Sequence, residues 1–153
     1  EGWIRNAVKS VHNDYTERSA PKRVRDILPA DEAEVALQRR FAIIQTWRSV
    51  APRVESEPLA MCDGSTIPES GFISNQRRYR DRTAETYHIA YNPAHRWYYF
   101  PLMTRDEALV FKVFDTDRDA GVRFTAHTSF DDPNSGPDAA IRESIEMRAF
   151  AFF

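Results

Sequence analysis

His12-Asn13-Asp14 sets an imidazole and a carboxylate two residues apart, so on an extended strand both leave the same face. Joined by one distant histidine, His127, they make a two-histidine, one-carboxylate ligand set. Such a set suits non-haem Fe(II) and leaves coordination positions open for a co-substrate and dioxygen. Downstream, Arg142 and Arg148 offer guanidinium forks for a carboxylate-bearing co-substrate such as 2-oxoglutarate. The two are about 20 Å apart along a strand, so only one can reach a co-substrate at the metal. Arg148 is favoured, because it is embedded in an apolar run where a charge needs a reason, whereas Arg142 adjoins a loop.

Arg142, Ser144, Glu146 and Arg148 alternate and so share a strand face. Either this face lines a polar cavity inside a barrel, or it meets solvent while Ile145, Met147 and Ala149 pack inward. Gln45 and Trp47 also share a face and could bond and wall a co-substrate. His95 rivals His127 as the distant ligand, with Arg105 as its matching arginine. An aromatic cluster after a proline turn, as around His95, more often serves packing, and residues 104–107 read as a solvated turn. His88 reads as structural. Lys112 lies in an apolar strand, with Asp115 expected on the opposite face, so its charge must find solvent or a cavity partner.

The elements that must position these groups are mostly short strands. A strand over 7–12 delivers His12 and Asp14, and others are expected over 41–47, 58–62, 72–75, 85–91, 97–102, 108–115, 122–127 and 144–153. Helical pieces are expected over 21–28 and 31–40, parted by Pro29, with Asp31 as a cap. Turns fall at Asn92-Pro93, 117–121 and 131–138. Many strands with one helical patch point to a sandwich or barrel.

At 153 residues the chain has the length of one domain, residues 1–153, with ample aromatic core material in 10 Phe, 6 Tyr and 3 Trp. Its charge of -2 is well mixed and makes no electrostatic case for nucleic acid or an anionic membrane. A locally basic stretch, 76–82, reads as a solvated loop. The one cysteine, Cys62, excludes an intrachain disulfide, and no apolar run approaches a membrane span. A cytoplasmic protein is expected, with a small-molecule substrate and dioxygen as partners. Oligomeric state is not legible. The chain reaches its His-x-Asp pair after 11 residues and has no initial methionine, which reads as either part of a longer protein or a shortened one.

Several blocks occur in order: Val11-His12-Asn13-Asp14-Tyr15-Thr16, Ile43-Ile44-Gln45-Thr46-Trp47-Arg48, Pro58-Leu59-Ala60-Met61-Cys62-Asp63 and Tyr91-Asn92-Pro93-Ala94-His95-Arg96-Trp97-Tyr98-Tyr99. They are followed by Arg123-Phe124-Thr125-Ala126-His127-Thr128-Ser129-Phe130-Asp131-Asp132-Pro133 and Arg142-Glu143-Ser144-Ile145-Glu146-Met147-Arg148. Together they resemble the AsaB-like hydroxylase/desaturase family, which includes a fungal gibberellin desaturase and a CmcJ-type cephamycin methoxylation protein. Members are typically longer ahead of the His-x-Asp block, and Gln45 stands where the family pattern carries asparagine. The stretch from Phe124 to Arg148 also resembles the distal-histidine-to-arginine region of taurine-dioxygenase-like enzymes, which favours His127 over His95.

The resemblance implies a mainly β, double-stranded β-helix (jelly-roll) domain, truncated at its N-terminus, with a short helical segment near 21–40. It implies Fe(II) held by His12, Asp14 and His127, and 2-oxoglutarate as co-substrate near Arg148, Arg142, Gln45 and Trp47. The reaction would hydroxylate or desaturate a small secondary metabolite. Two other readings are a non-catalytic jelly-roll accessory subunit of the CmcJ kind and an inactive fragment.

Overall fold

The structure, a computed structural model, describes residues 6–153 except 79, 81 and 82. Two antiparallel sheets face each other. Six strands run in the order β4 (Phe72–Arg78), β5 (Thr83–Ile89), β1 (His12–Asn13), β8 (His127–Ser129), β3 (Leu59–Cys62) and β6 (Trp97–Tyr99). Three more run in the order β7 (Leu109–Asp115), β2 (Phe41–Ser49) and β9 (Ser144–Phe152). This is the expected jelly roll. Two helices, α1 (Ser19–Ile27) and α2 (Ala30–Leu37), cover one end, where the helical patch was expected. Ala20 and Val24, four apart on α1, and Ala33 of α2 are fully buried. Among the described residues no helix is long and apolar enough to cross a membrane.

The core fills the space between the sheets. Phe41, Ile43, Trp47, Leu109, Phe111, Val113 and Phe114 come from the inner face of the three-stranded sheet, and Leu59 from the other. The β2–β7 ladder breaks once. Ile43 pairs with Phe114 but Ile44 pairs with Lys112, so Val113 has no partner on β2. This bulge shifts the side-chain alternation by one residue. Lys112 and Asp115 therefore meet, with Nζ 2.9 Å from Oδ2, instead of pointing to opposite faces as strict alternation predicts. Arg40 adds a second cation to the same buried carboxylate, 3.0 Å away.

Other expectations need correction. The first strand is only His12–Asn13; residues 7–11 bond irregularly, Val8 O accepting from Ser129 N and Val11 O from Ile89 N. The strand expected over 122–127 begins at His127, where it was expected to end. Phe124 and Ala126 are held there by packing and by two scattered backbone bonds, Thr125 N donating to Lys112 O and Cys62 N to Ala126 O, rather than by a regular ladder. That strand and β7 consequently belong to different sheets and do not form a hairpin. The cap expected at Asp31 is also absent: α2 begins at Ala30, after Pro29, and Asp31 sits in its first turn. Gln76 to Arg78 extend β4 rather than forming a loop, and Tyr79, Asp81 and Arg82 lie outside the described residues.

Candidate metal centre

His12 and His127 are direct partners across the β1–β8 ladder, with ring centroids 4.6 Å apart. Asp14 follows β1 and turns its carboxylate to both. His12 Nε2 lies 3.9 Å from one Asp14 oxygen and His127 Nε2 lies 3.6 Å from the other. The three donor atoms all lie within 4.8 Å of one another.

The two imidazoles are held by the same device. His12 Nδ1 donates to Ser10 O at 2.8 Å, and His127 Nδ1 donates to Thr125 O at 2.9 Å. A carbonyl can only accept, so the proton sits on Nδ1 in both rings, and both Nε2 atoms are left as lone-pair donors. Backbone acceptors behind ligating histidines fix tautomer and ring orientation in the same way. Burial pushes His127 below the ordinary histidine pKa, despite the nearby Asp14 carboxylate, and favours its neutral, ligating form. Phe111 packs edge-on against His127, with centroids 5.1 Å apart, and closes the dry side of the cluster. Two neutral nitrogens and one carboxylate oxygen on one point fit a hard-to-borderline divalent ion such as Fe(II).

The opposite wall is built by β2 and β9. Gln45 pairs with Arg148 and Trp47 pairs with Glu146. The polar face of β9 points inward: Ile145 and Met147 on its other face are 57% and 63% exposed. The alternative in which those apolar residues pack inward is thus excluded. Arg148 reaches Asp14 Oδ2 from both Nε (3.2 Å) and Nη2 (3.0 Å), and Nη2 also donates to Glu146 at 2.7 Å. Burial disfavours its charge, but the two carboxylates outweigh this and raise its pKa above the ordinary arginine value. Gln45 is fully buried, donates from Nε2 to Glu146 at 3.2 Å, and its Oε1 finds no partner among the described residues.

Arg142 lies farther along the wall. Its Nη1 donates to Glu57 O at 2.7 Å and its guanidinium sits 5.6 Å from the Trp47 ring. His95 is elsewhere: it shares a pocket with Val11, just before β1, and with Thr128, which leaves β8 on the side opposite His127. Arg105 is occupied by Val50 O. His88 pairs with His12 in register and contacts Asn75 through Nε2 at 3.1 Å.

Asn13 contributes what the spacing argument passed over. Its amide donates to Val113 O (2.8 Å) and Tyr15 O (2.7 Å). The Val113 carbonyl belongs to the bulged residue, so a break in one sheet receives the residue between two candidate ligands of the other. A buried amide inside a His-x-Asp motif is a sequence hint of such a tie, but its partner lies 100 residues away.

Comparison with known proteins places the chain among oxidoreductases. Residues 3–152 match the family model described as an oxidoreductase/YMDC permease-like domain. The chain is 33% identical to the hydroxylase/desaturase efuI of Hormonema carpetanum, covering 94% of this chain and 51% of that protein. It is 33% identical to the hydroxylase/desaturase asaB of Aspergillus flavus, covering 85% and 63% respectively. Among solved structures, the iron and alpha-ketoglutarate-dependent endoperoxidase NvfI superposes with a TM-score of 0.90 at 27% identity, over 99% of this chain and 56% of that one. The chain thus spans about half the length of efuI and NvfI.

Proposed function

The chain belongs to the hydroxylase/desaturase family of these fungal relatives, and from that premise we propose that it is the metal- and co-substrate-binding part of an Fe(II)/2-oxoglutarate-dependent oxygenase. Its substrate is a small secondary metabolite, hydroxylated or desaturated at the expense of dioxygen and 2-oxoglutarate, which leaves as succinate and carbon dioxide. The observation that carries this reading is the convergence of His12, Asp14 and His127, from distant parts of the chain, within 4.8 Å.

The bound iron and co-substrate supply the oxidising power. The chain supplies orientation and a dry wall. His12, Asp14 and His127 hold the ion. Arg148, already on Asp14, aims that carboxylate and balances its charge. Arg142 is the better anchor for the distant carboxylate of 2-oxoglutarate, since among the described residues its one hydrogen-bond partner is a backbone carbonyl. Trp47 and Gln45 form the wall between them. The proposed setting is cytoplasmic, which suits a buried, unpaired Cys62 thiol.

Anaerobic addition of Fe(II) and 2-oxoglutarate tests the reading, through the visible metal-to-ligand band of a chelated complex. Failure of folded protein to bind Fe(II), Co(II) or Ni(II) overturns it.

A further inference from the structure

Glu146 is the one inward carboxylate of β9, and it stands on the wall between Arg142 and the metal cluster. It takes two donors that a carboxylate ligand would use. Gln45 Nε2 donates to its Oε2 at 3.2 Å and Arg148 Nη2 to its Oε1 at 2.7 Å. Its charge is felt at Arg142 and at His127 as well. Neither donor side chain is free to follow it: Gln45 is fully buried in the central strand, and Arg148 is tied to Asp14. Glu146 is different. Its side chain is 46% exposed, so it can turn outward into water without loss of hydration.

We infer that Glu146 is a resident competitor of the co-substrate: its carboxylate occupies the Gln45 and Arg148 donors, and 2-oxoglutarate binds by turning it out. The inference rests on the co-substrate reading above and adds a selectivity device to it. 2-Oxoglutarate displaces Glu146 because its metal-side carboxylate would be held by the ion as well as by these donors, and its distant carboxylate by Arg142, whereas a simple monoanion has no such second hold. The Gln45 Oε1, which has no donor among the described residues, then becomes the acceptor for a group on the incoming molecule.

The test measures 2-oxoglutarate affinity of the Fe(II)-loaded protein without oxygen, by the visible charge-transfer band. Glu146→Gln removes the charge and keeps the shape. It is expected to tighten 2-oxoglutarate binding about tenfold, the scale of one lost like-charge contact in a partly hydrated site. Fe(II) affinity, titrated first without co-substrate, should stay within about twofold. Glu146→Asp keeps the charge but is one methylene too short to hold both donors, and should tighten binding less than Gln. Equal or weaker 2-oxoglutarate binding in both variants overturns the competitor role. Absence of any 2-oxoglutarate complex in wild type and variants alike, with Fe(II) bound, instead rejects the co-substrate reading and the competitor with it.

Discussion

Asn13 bridges the two sheets, its amide nitrogen 2.8 Å from the carbonyl oxygen of Val113. Because it stands between His12 and Asp14, this tie fixes the piece of chain from which both project. Asn13→Ala orphans a buried carbonyl, and should cost about 1–3 kcal/mol of stability. Weaker Co(II) binding by the folded fraction should accompany it. Urea unfolding and a Co(II) titration check both, and unchanged values would show that the bridge positions nothing.

Asp14→Ala removes the one carboxylate of the cluster. Fe(II) and Co(II) binding should be lost while the fold persists, since the side chain contributes nothing to the apolar core. Circular dichroism beside Co(II) absorption separates the two. Loss of structure without any metal affinity in the parent protein would mark Asp14 as an ordinary ion-pair partner of Arg148.

The two arginines are expected to divide by readout. Arg148→Lys loses the two-pronged contact with Asp14, and should lower metal affinity by roughly 10–100-fold, as for other groups that orient a ligand. Arg142→Lys should leave metal affinity intact and raise the 2-oxoglutarate Kd by at least about tenfold. The reverse pattern would return the co-substrate carboxylate to Arg148.

Acid stability should depend on Asp115. Its burial raises the pKa, but Arg40, Lys112 and the Asp117 amide outweigh this and hold it at about 2, below its ordinary 3.8. A lowered folded-state pKa means stability that is present above the unfolded value and lost as pH falls from 3.8 towards 2. The amount is on the order of 2 kcal/mol. Asp115→Asn should lower stability at neutral pH and flatten that acid limb. Urea midpoints at pH 6 and pH 3 that fall equally in both proteins would refute the assignment.

Much of the site was legible because its signals are local. His12 and Asp14 announce a shared face by spacing, and Arg142, Ser144, Glu146 and Arg148 do the same for the inward face of β9. Apolar Ile145 and Met147 on the exposed side could mislead a reader who assigns faces by hydropathy alone. The bulge at Val113 was not legible, since nothing in the local run from Leu109 to Asp115 marks the extra residue. The Lys112–Asp115 pair and the Asn13 tie both follow from it. Residues 122–126 look like a strand because apolar Val122, Phe124 and Ala126 alternate, yet only isolated backbone bonds, Thr125 N to Lys112 O and Cys62 N to Ala126 O, tie them to neighbouring strands.

Arg148 and Asp14 are 134 positions apart, and the candidate ligands themselves come from near the two ends of the chain. A cation at this cluster is therefore a clasp on a very long loop. The unfolded chain cannot keep the donors together without meeting the entropy of closing that loop, so the ion discriminates strongly for the native state. At a hundredfold excess over Kd it should add about 2.7 kcal/mol of stability. Thermal melting with and without Co(II) would thus report, in one number, whether the first and last thirds of the sequence have found each other.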